Sequence, residues 1–202
     1  MGRSEAKLHQ IAHQIEQLKY PTPIVAPYNF ITFTENDAVE LALSIGHQFG
    51  KLNGLIHCAG YLGSITPLVH YSTTLWEEVF RVFVHAPFML TKAVLPLLKH
   101  TTEPKCIIFT RNLQSEGQAY WGAYGAAQAA IGALVRILRE EHTDFPIFSI
   151  DPIKVKTALR AKAYPGESGR QLYTPSEIAE FYYQQIQIPP VVEGLSFHPI
   201  FF

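Results

Sequence analysis

In the stretch YWGAYGAAQ (120–128), Tyr124 could take part in acid–base chemistry, and Gln128 stands where a residue could assist it. The surrounding sequence predicts a helix over about 121–140, which places residues four apart on one helix face, one turn from each other. A phenol has an ordinary pKa of about 10, so it acts as a base at neutral pH only where a nearby cation stabilises the phenolate. Gln128 is neutral and supplies no such charge. The pair leaves open whether Tyr124 is a catalytic acid or a packed helix tyrosine.

The composition predicts a globular protein of ordinary domain size. Of the 202 residues, 48% are hydrophobic and 16% are charged, which is far from the composition of disordered chains. The net charge of −1 gives no electrostatic reason to expect binding to nucleic acid or to an acidic membrane surface. No signal-peptide pattern is visible, and no apolar stretch approaches the ~20 residues that span a bilayer. We therefore expect a cytoplasmic protein outside the membrane, with Cys58 and Cys106 as reduced, buried strand residues.

Common motifs for metal, phosphate and acyl-transfer sites are missing from the sequence. It contains no G-x-x-x-x-G-K-[ST] phosphate loop, no H-E-x-x-H zinc motif and no G-x-S-x-G nucleophile elbow. His9 and His13 lie one helical turn apart, but they point away from the apolar stripe and no third ligand is nearby. The sequence therefore predicts no metal site.

Apolar periodicity predicts alternating helices and strands. Helices are predicted over 4–19, 34–49, 74–100 (with a kink or break at Pro87), 121–140 and from the TPSE segment at 174–177 onward, and strands over 23–33, 54–60, 105–110, 145–152 and 194–199. This alternation is typical of right-handed βαβ crossovers and of a parallel sheet covered by helices on both faces.

Five segments, in this order, resemble the short-chain dehydrogenase/reductase family, and most closely a bacterial subgroup of poorly characterised oxidoreductases. They are GRSEAKL (2–8), HCAG (57–60), FMLTKAVLPLL (88–98), WGAY (121–124) and VKTALRA (155–161). The resemblance implies a Rossmann-like fold and hydride transfer between NAD or NADP and a carbonyl or alcohol.

The resemblance places Tyr124 at the family's catalytic acid/base. The lysine that lowers the tyrosine pKa falls on Gln128, the substrate-holding serine falls on Arg111, and the asparagine of the long helix falls on Phe83. Arg111 could bring a positive charge near Tyr124 and so give a rewired site, and Ser115 could be a displaced substrate hydroxyl, although a loop serine is more often solvated.

The same resemblance places cofactor-binding positions at Ala59, Gly60, Pro152 and Thr157, as remnants of the family's site. Within these segments, Cys58 replaces an asparagine that orders the central strand. Ile153 replaces a glycine that lets the backbone approach the nicotinamide, and its branched side chain would crowd the ring.

Aligned with the family, the chain starts near the end of the second strand, so we expect a single incomplete domain over 1–202 that lacks the first βαβ unit with its glycine loop. The strand over 23–31 could then move beside the strand over 54–60, or it could detach and leave apolar surface exposed. In either case, dinucleotide binding by this chain is doubtful.

Three functions follow from these observations. The first is a family member with little or no hydride transfer. The second is a non-catalytic module that forms a homodimer or tetramer through the helices at about 74–99 and 121–140. The third is a weakly active oxidoreductase with a rewired site. The substrate cannot be read from the sequence.

Overall fold

The computed structural model describes residues 1–103, 105–169 and 172–187 in full, and the backbone of 196–197. The helices are α1 Glu5–Gln17, α2 Glu35–Phe49, α3 Thr73–Phe80, α4 Ala86–Lys99, α5 Gly122–Glu141, α6 Ala158–Ala163 and α7 Pro175–Gln187, and the strands are β1 Gly54–His57, β2 Cys106–Thr110, β3 Ile147–Ile150 and β4 Ser196–Phe197. A π-helical turn, Arg81–His85, joins α3 to α4.

The four strands form one parallel sheet in the order β1-β2-β3-β4. Side chains alternate between its faces, as the period of two in a strand requires. On β2, Ile107 and Phe109 face the larger core with α2, α4 and α5. Cys106 and Ile108 face a second core that includes residues of α7. The predicted parallel sheet with helices on both faces is confirmed.

Capping groups fix where two of the helices begin. The Thr34 hydroxyl accepts from the Asp37 N–H, and the Asp37 carboxylate accepts from the Thr34 N–H, which is a complete capping box at α2. Thr174 and Glu177 make the same reciprocal bonds at the start of α7. The predicted helices over 34–49 and from the TPSE segment at 174–177 are confirmed.

The predicted strand over 23–33 is wrong. This segment makes one isolated parallel bridge, between Gly2 and Pro27, and then turns at Asn29, whose side chain accepts from the Ile31 N–H. It does not pair with β1. Prolines at 21, 23 and 27 remove donors from the segment, so it cannot sustain a ladder. The segment therefore does not join the sheet beside β1, which was one of the two expected outcomes.

The helix predicted over 74–100 appears as α3, the π-helical turn and α4. It begins at Thr73, and its interruption near Pro87 was predicted. Ser72, and not Thr74, caps it by accepting from the Leu75 N–H. Pro87 has no N–H to bond the Phe83 carbonyl, and the π-helical turn lies directly before it.

The helical run Thr73–Lys99, 27 residues long, has the length and apolar composition to cross a membrane, which the sequence prediction did not anticipate. Its residues Val79, Val94 and Leu98 are fully buried in the larger core. Core helices of folded domains commonly have this composition, so the run is accounted for as the central helix of the domain.

The two cysteines have different environments. Cys106 is buried in β2, as predicted, whereas Cys58 is exposed, so the prediction of a buried Cys58 is wrong. Cys58 follows β1, which has a ladder partner on one side only among the described residues. Its neighbour Ile56 is 42% exposed for the same reason. The predicted strand over 194–199 appears as β4, and its other residues lie outside the described ones.

Candidate active site at the carboxyl ends of the strands

A cleft of about 760 Å³ lies where β1, β2 and β3 end, which is where open parallel sheets usually bind ligands. All eight residues predicted to form the site line it. These are Tyr124, Gln128, Arg111 and Phe83 of the catalytic set, and Ala59, Gly60, Pro152 and Thr157 of the cofactor set. The fold therefore brings together residues that are up to 98 positions apart in the sequence.

Tyr124 is a buried phenol among aromatic rings. Its ring packs edge-on against Phe83, with centroids 5.2 Å apart, and lies 5.3 Å from the ring of Trp121. Burial is the main cause that raises the pKa of Tyr124 to about 12, while a hydrogen bond with the Asn112 side chain acts in the opposite direction. The hydroxyl is therefore a neutral phenol at physiological pH.

Gln128 is a structural residue in this arrangement. It is 1% exposed, and its Oε1 accepts a hydrogen bond of 2.9 Å from the backbone N–H of Asn112. A buried backbone donor without a partner would cost about 1–3 kcal/mol, so this bond stabilises the loop that follows β2. A lysine has no acceptor atom and could not make it.

Arg111 is held by the loop after β2 and by α5. Its Nε donates to Glu116 at 2.8 Å and to the backbone carbonyl of Gln128 at 3.1 Å. A methyl group added to Gly132 would lie 2.3 Å from Nη2 of this arginine, so the guanidinium packs against that glycine. Gly132 is eight residues beyond Tyr124, or about 12 Å along the helix axis. The guanidinium is thus held by Glu116, by the Gln128 carbonyl and against Gly132, and a rewired site that uses the charge of Arg111 stays a prediction.

Ser115 is buried, and the expectation of a solvated loop serine is wrong. Its hydroxyl donates to the Asn112 carbonyl at 2.8 Å, and its backbone N–H donates to the Asn112 side chain at 3.3 Å. Its carbonyl lies 2.4 Å from where a methyl group on Gly125 would be. Ser115 thus holds the loop against α5, and it does not line the cleft.

The segment after β3 keeps a glycine-like backbone without a glycine. Ile153 has φ of 60°, in the left-handed region that β-branched residues rarely adopt. The Asp151 carboxylate holds this turn by accepting from the N–H of Ile153 at 2.8 Å and from that of Leu113 at 2.9 Å. Such a conformation costs of order 1–3 kcal/mol and persists because its surroundings fix it.

The far wall of the cleft carries a paired cation. Thr157 caps α6 by accepting from the Arg160 N–H. The Arg160 guanidinium makes two bonds of 2.7 Å to Glu167 and lies 4.3 Å over the Tyr164 ring. The charge of Arg160 lowers the pKa of Tyr124, but by less than burial raises it.

The glycine and cysteine after β1 form the near wall. A methyl group on Gly60 would lie 3.2 Å from Leu159 and 3.7 Å from the Phe83 ring, so these side chains close over the glycine. The Thr110 hydroxyl lies 3.4 Å from the Cys58 sulfur and 2.8 Å from the Tyr182 hydroxyl. In the described part of the chain, no three histidine, cysteine or acidic residues come together in a way that could hold a metal ion.

Comparison with known proteins identifies the family. The sequence profile of the short chain dehydrogenases matches residues 1–168. The chain belongs to the short-chain dehydrogenase family. It is 33% identical over 183 residues to the uncharacterised oxidoreductase YciK of Escherichia coli K12, which covers 90% of this chain and 73% of that protein.

Solved structures of the family superpose closely. A short-chain dehydrogenase from Salmonella enterica serovar Typhi matches with a TM-score of 0.91 at 30% identity, over 98% of this chain and 82% of that one. Another, from Escherichia coli CFT073 and crystallised with NADPH, matches with a TM-score of 0.89 at 32% identity, over 98% of this chain and 83% of that one.

Sequence analysis missed three residues that organise this short-chain dehydrogenase site: Asn112, Asp151 and Arg160. Apart from its place after Arg111, nothing in the sequence marks Asn112 as a site residue. Asp151 precedes a proline, and an aspartate there often holds the following turn through its carboxylate, so this residue could have been found. Arg160 was visible only as part of the VKTALRA segment, because its partner Glu167 and its approach to Tyr164 depend on the fold.

We predict that glycine is more stable than alanine at position 153, which is the reverse of their order inside a helix. Both Ile153→Gly and Ile153→Ala remove the branched side chain, but only glycine adopts a positive φ without crowding its Cβ. We therefore expect the glycine variant to be more stable than the alanine variant by about 1 kcal/mol, measured by urea unfolding.

Ala129→Gly is the matched control, because Ala129 is an exposed residue within α5. There glycine should be less stable than alanine by about 1 kcal/mol. An alanine variant at 153 that is as stable as the glycine variant would contradict the assignment of strain to this position.

Proposed function

We propose that this chain is a cytoplasmic short-chain dehydrogenase family member that performs little or no hydride transfer on its own. One observation carries the proposal. The residue one turn after Tyr124 uses its side-chain oxygen to hold the backbone of Asn112, and the phenol is left with a pKa of about 12. A phenol of that kind is a poor acid/base at neutral pH.

The cleft supports the proposal because its charged groups already have partners. Arg111 is paired with Glu116 and Arg160 with Glu167, so both guanidiniums are neutralised by carboxylates within the protein. The Asp151 carboxylate, 2% exposed, also lines the cleft. A diphosphate brought here would meet no uncompensated positive charge from these three groups.

The backbone around the cleft also does not fit a nicotinamide dinucleotide. β1 ends at His57, and the next α-helix along the chain, α3, begins only at Thr73, so no helix N-terminus directly follows this strand to hold a pyrophosphate. Ile153 stands where a glycine would let a ring approach. The related protein from Escherichia coli CFT073 binds NADPH; for this chain we propose weak binding of NAD or NADP at most.

Fluorescence titration with NADH and NADPH tests the proposal, combined with turnover assays on a panel of ketones and alcohols. We expect no saturable cofactor binding at micromolar concentration and no turnover above background. Tyr124→Phe should then change neither result.

Tyr120→Phe is the matched control, since Tyr120 is a 58% exposed tyrosine four residues before Tyr124 and outside α5. Turnover that Tyr124→Phe abolishes and Tyr120→Phe preserves would contradict the proposal and favour the weakly active oxidoreductase.

We propose, as a second candidate function, self-association through the outer faces of α4 and α5. Each of these helices exposes one large apolar side chain, Phe88 at 50% and Ile137 at 53%. We infer that these two side chains contact a second copy of the chain in a dimer or tetramer. Such an interface does not require the chemistry of the cleft.

Size-exclusion chromatography with light scattering tests this candidate. We expect an oligomer that the double variant Phe88→Glu/Ile137→Glu converts to a monomer, because a buried carboxylate at an interface is costly. Val39→Glu, on the exposed face of α2, is the control and should leave the oligomer intact. A wild-type monomer at high concentration would rule out this interface.

A further inference from the structure

We propose that the cleft of Tyr124 binds an uncharged ring compound without a dinucleotide, and that the side-chain amide of Gln128 anchors an oxygen atom of that compound. The inference rests on the proposed function, since it names what the cleft takes up when it transfers no hydride. The cavity, of about 760 Å³, has the size of sites for small organic ligands, which measure about 300–1,000 Å³. All the residues on which the inference depends lie in positions 83–186 of the chain.

The anchor is the half of the Gln128 amide that the protein does not use. Oε1 accepts from the Asn112 N–H, which fixes the orientation of the amide and directs Nε2 to the other side. No hydrogen bond among the described residues involves this Nε2. Every fully buried side-chain nitrogen or oxygen in that part of the chain has a partner, so Nε2 must be accessible from the cleft that Gln128 lines. Because the residue is 1% exposed, a ligand oxygen would meet this donor almost without water, where a hydrogen bond is strongest.

A continuous row of four aromatic rings lines the cleft beside this donor. The Phe83 ring contacts that of Tyr124, with centroids 5.2 Å apart. The Tyr124 ring contacts Trp121 at 5.3 Å, and Trp121 in turn contacts Tyr164 at 5.7 Å. Aromatic faces and edges of this kind pack well against another ring. Gln128 lies one turn after Tyr124 on α5, so a ring compound packed on this row can reach the amide with an oxygen substituent.

Helix α7 and the turn after β3 add further apolar surface to the cleft. Ile178, Tyr182 and Ile186 follow one another at four-residue spacing on α7, so they share one face of the helix, and all three line the cavity. Ile153 lines it too, in the left-handed conformation that a β-branched residue rarely adopts. Residues held in such conformations cluster at ligand sites. The lining therefore favours an apolar ring system over a strongly hydrated ligand.

The charged residues of the lining favour a ligand without charge. Among the described residues they are Arg111, Asp151 and Arg160. Each arginine is bound to a glutamate, and the Asp151 carboxylate accepts from two backbone N–H groups. An anionic ligand would lose its water without gaining an unpaired cation from these groups, and it would be repelled by the Asp151 carboxylate. A neutral ligand with one acceptor oxygen avoids both costs.

The test uses the dye prodan, an uncharged (dimethylamino)naphthalene ketone whose fluorescence reports the polarity of its surroundings. Two analogues with the same ring system serve as controls. The first is (dimethylamino)naphthalene, which lacks the carbonyl acceptor. The second is (dimethylamino)naphthoate, which carries a negative charge in place of the ketone. The three compounds separate the contributions of the ring, the acceptor oxygen and the charge.

We expect saturable binding of the ketone to the full chain at one site, with no NAD or NADP present. The analogue without the carbonyl should bind about two- to tenfold more weakly, because it makes no hydrogen bond to the amide. The naphthoate should bind at least about tenfold more weakly than the ketone, because its charge finds no unpaired cation in the described lining. Competition with the fluorescent ketone measures the affinity of both analogues.

Two protein variants localise the binding. Gln128→Glu keeps a side-chain oxygen for the Asn112 N–H and replaces the Nε2 donor by a second oxygen, so it should weaken ketone binding at least about tenfold. Gln118→Glu is the matched control, because it makes the same change at an exposed glutamine that does not line the cleft, and it should leave binding unchanged. Circular dichroism confirms that each variant is folded, and the comparison of the three compounds on the wild type needs no variant.

Three results would overturn the inference: no saturable binding of the ketone, equal binding of either analogue, or ketone binding that a folded Gln128→Glu variant does not weaken. Adding NADPH to the same mixtures tests the proposed function separately. Reduction of the ketone at the expense of NADPH would overturn the proposed function, and ketone binding that requires NADPH would overturn both. A lack of ketone binding with no oxidation of NADPH would overturn this inference alone.

Discussion

The hydrogen bond from the Asn112 backbone to the Gln128 side chain is the constraint on which the site depends. It ties the loop after β2 to α5 and uses the side chain that follows Tyr124 by one turn. With the loop held there, the Asn112 side chain meets the Tyr124 hydroxyl, and Ser115 packs beneath Gly125. A side chain that accepts this bond cannot at the same time be a cation for the phenol, so the structure of the loop and the chemistry of Tyr124 are linked.

The other polar groups around the cleft follow the same pattern of internal pairing. Asp151 accepts from two backbone N–H groups, and the two arginines are each bound to a glutamate. Buried polar groups must be satisfied, and here the protein satisfies them with its own atoms. The surface left facing the cleft is therefore mainly aromatic and aliphatic. At the start of the sheet, β1 has a ladder partner on one edge only among the residues that the structure describes.

Much of this architecture was predictable from sequence, and the failures have identifiable causes. The strands β2 and β3, the helices α2 and α5 and the capping pairs at 34 and 174 follow from local residue patterns, and all eight site positions fall in one cleft. The segment over 23–33 has β-branched and aromatic residues, but its prolines prevent a ladder. The direction of Arg111 could not be foreseen, since it depends on the space that Gly132 leaves and on the position of Glu116, which only the folded loop determines.

The pKa of Tyr124 tests the central claim most directly, because it reports whether a cation reaches the phenol. Ultraviolet spectra recorded against pH for the wild type and for Tyr124→Phe isolate the tyrosinate signal of this one residue by difference. We predict ionisation at a pKa of about 12, above the ordinary value of 10.0, caused by burial. A difference signal that titrates below the ordinary value would show that a positive charge stabilises the phenolate, and would contradict the account of Tyr124 as a neutral, packed residue.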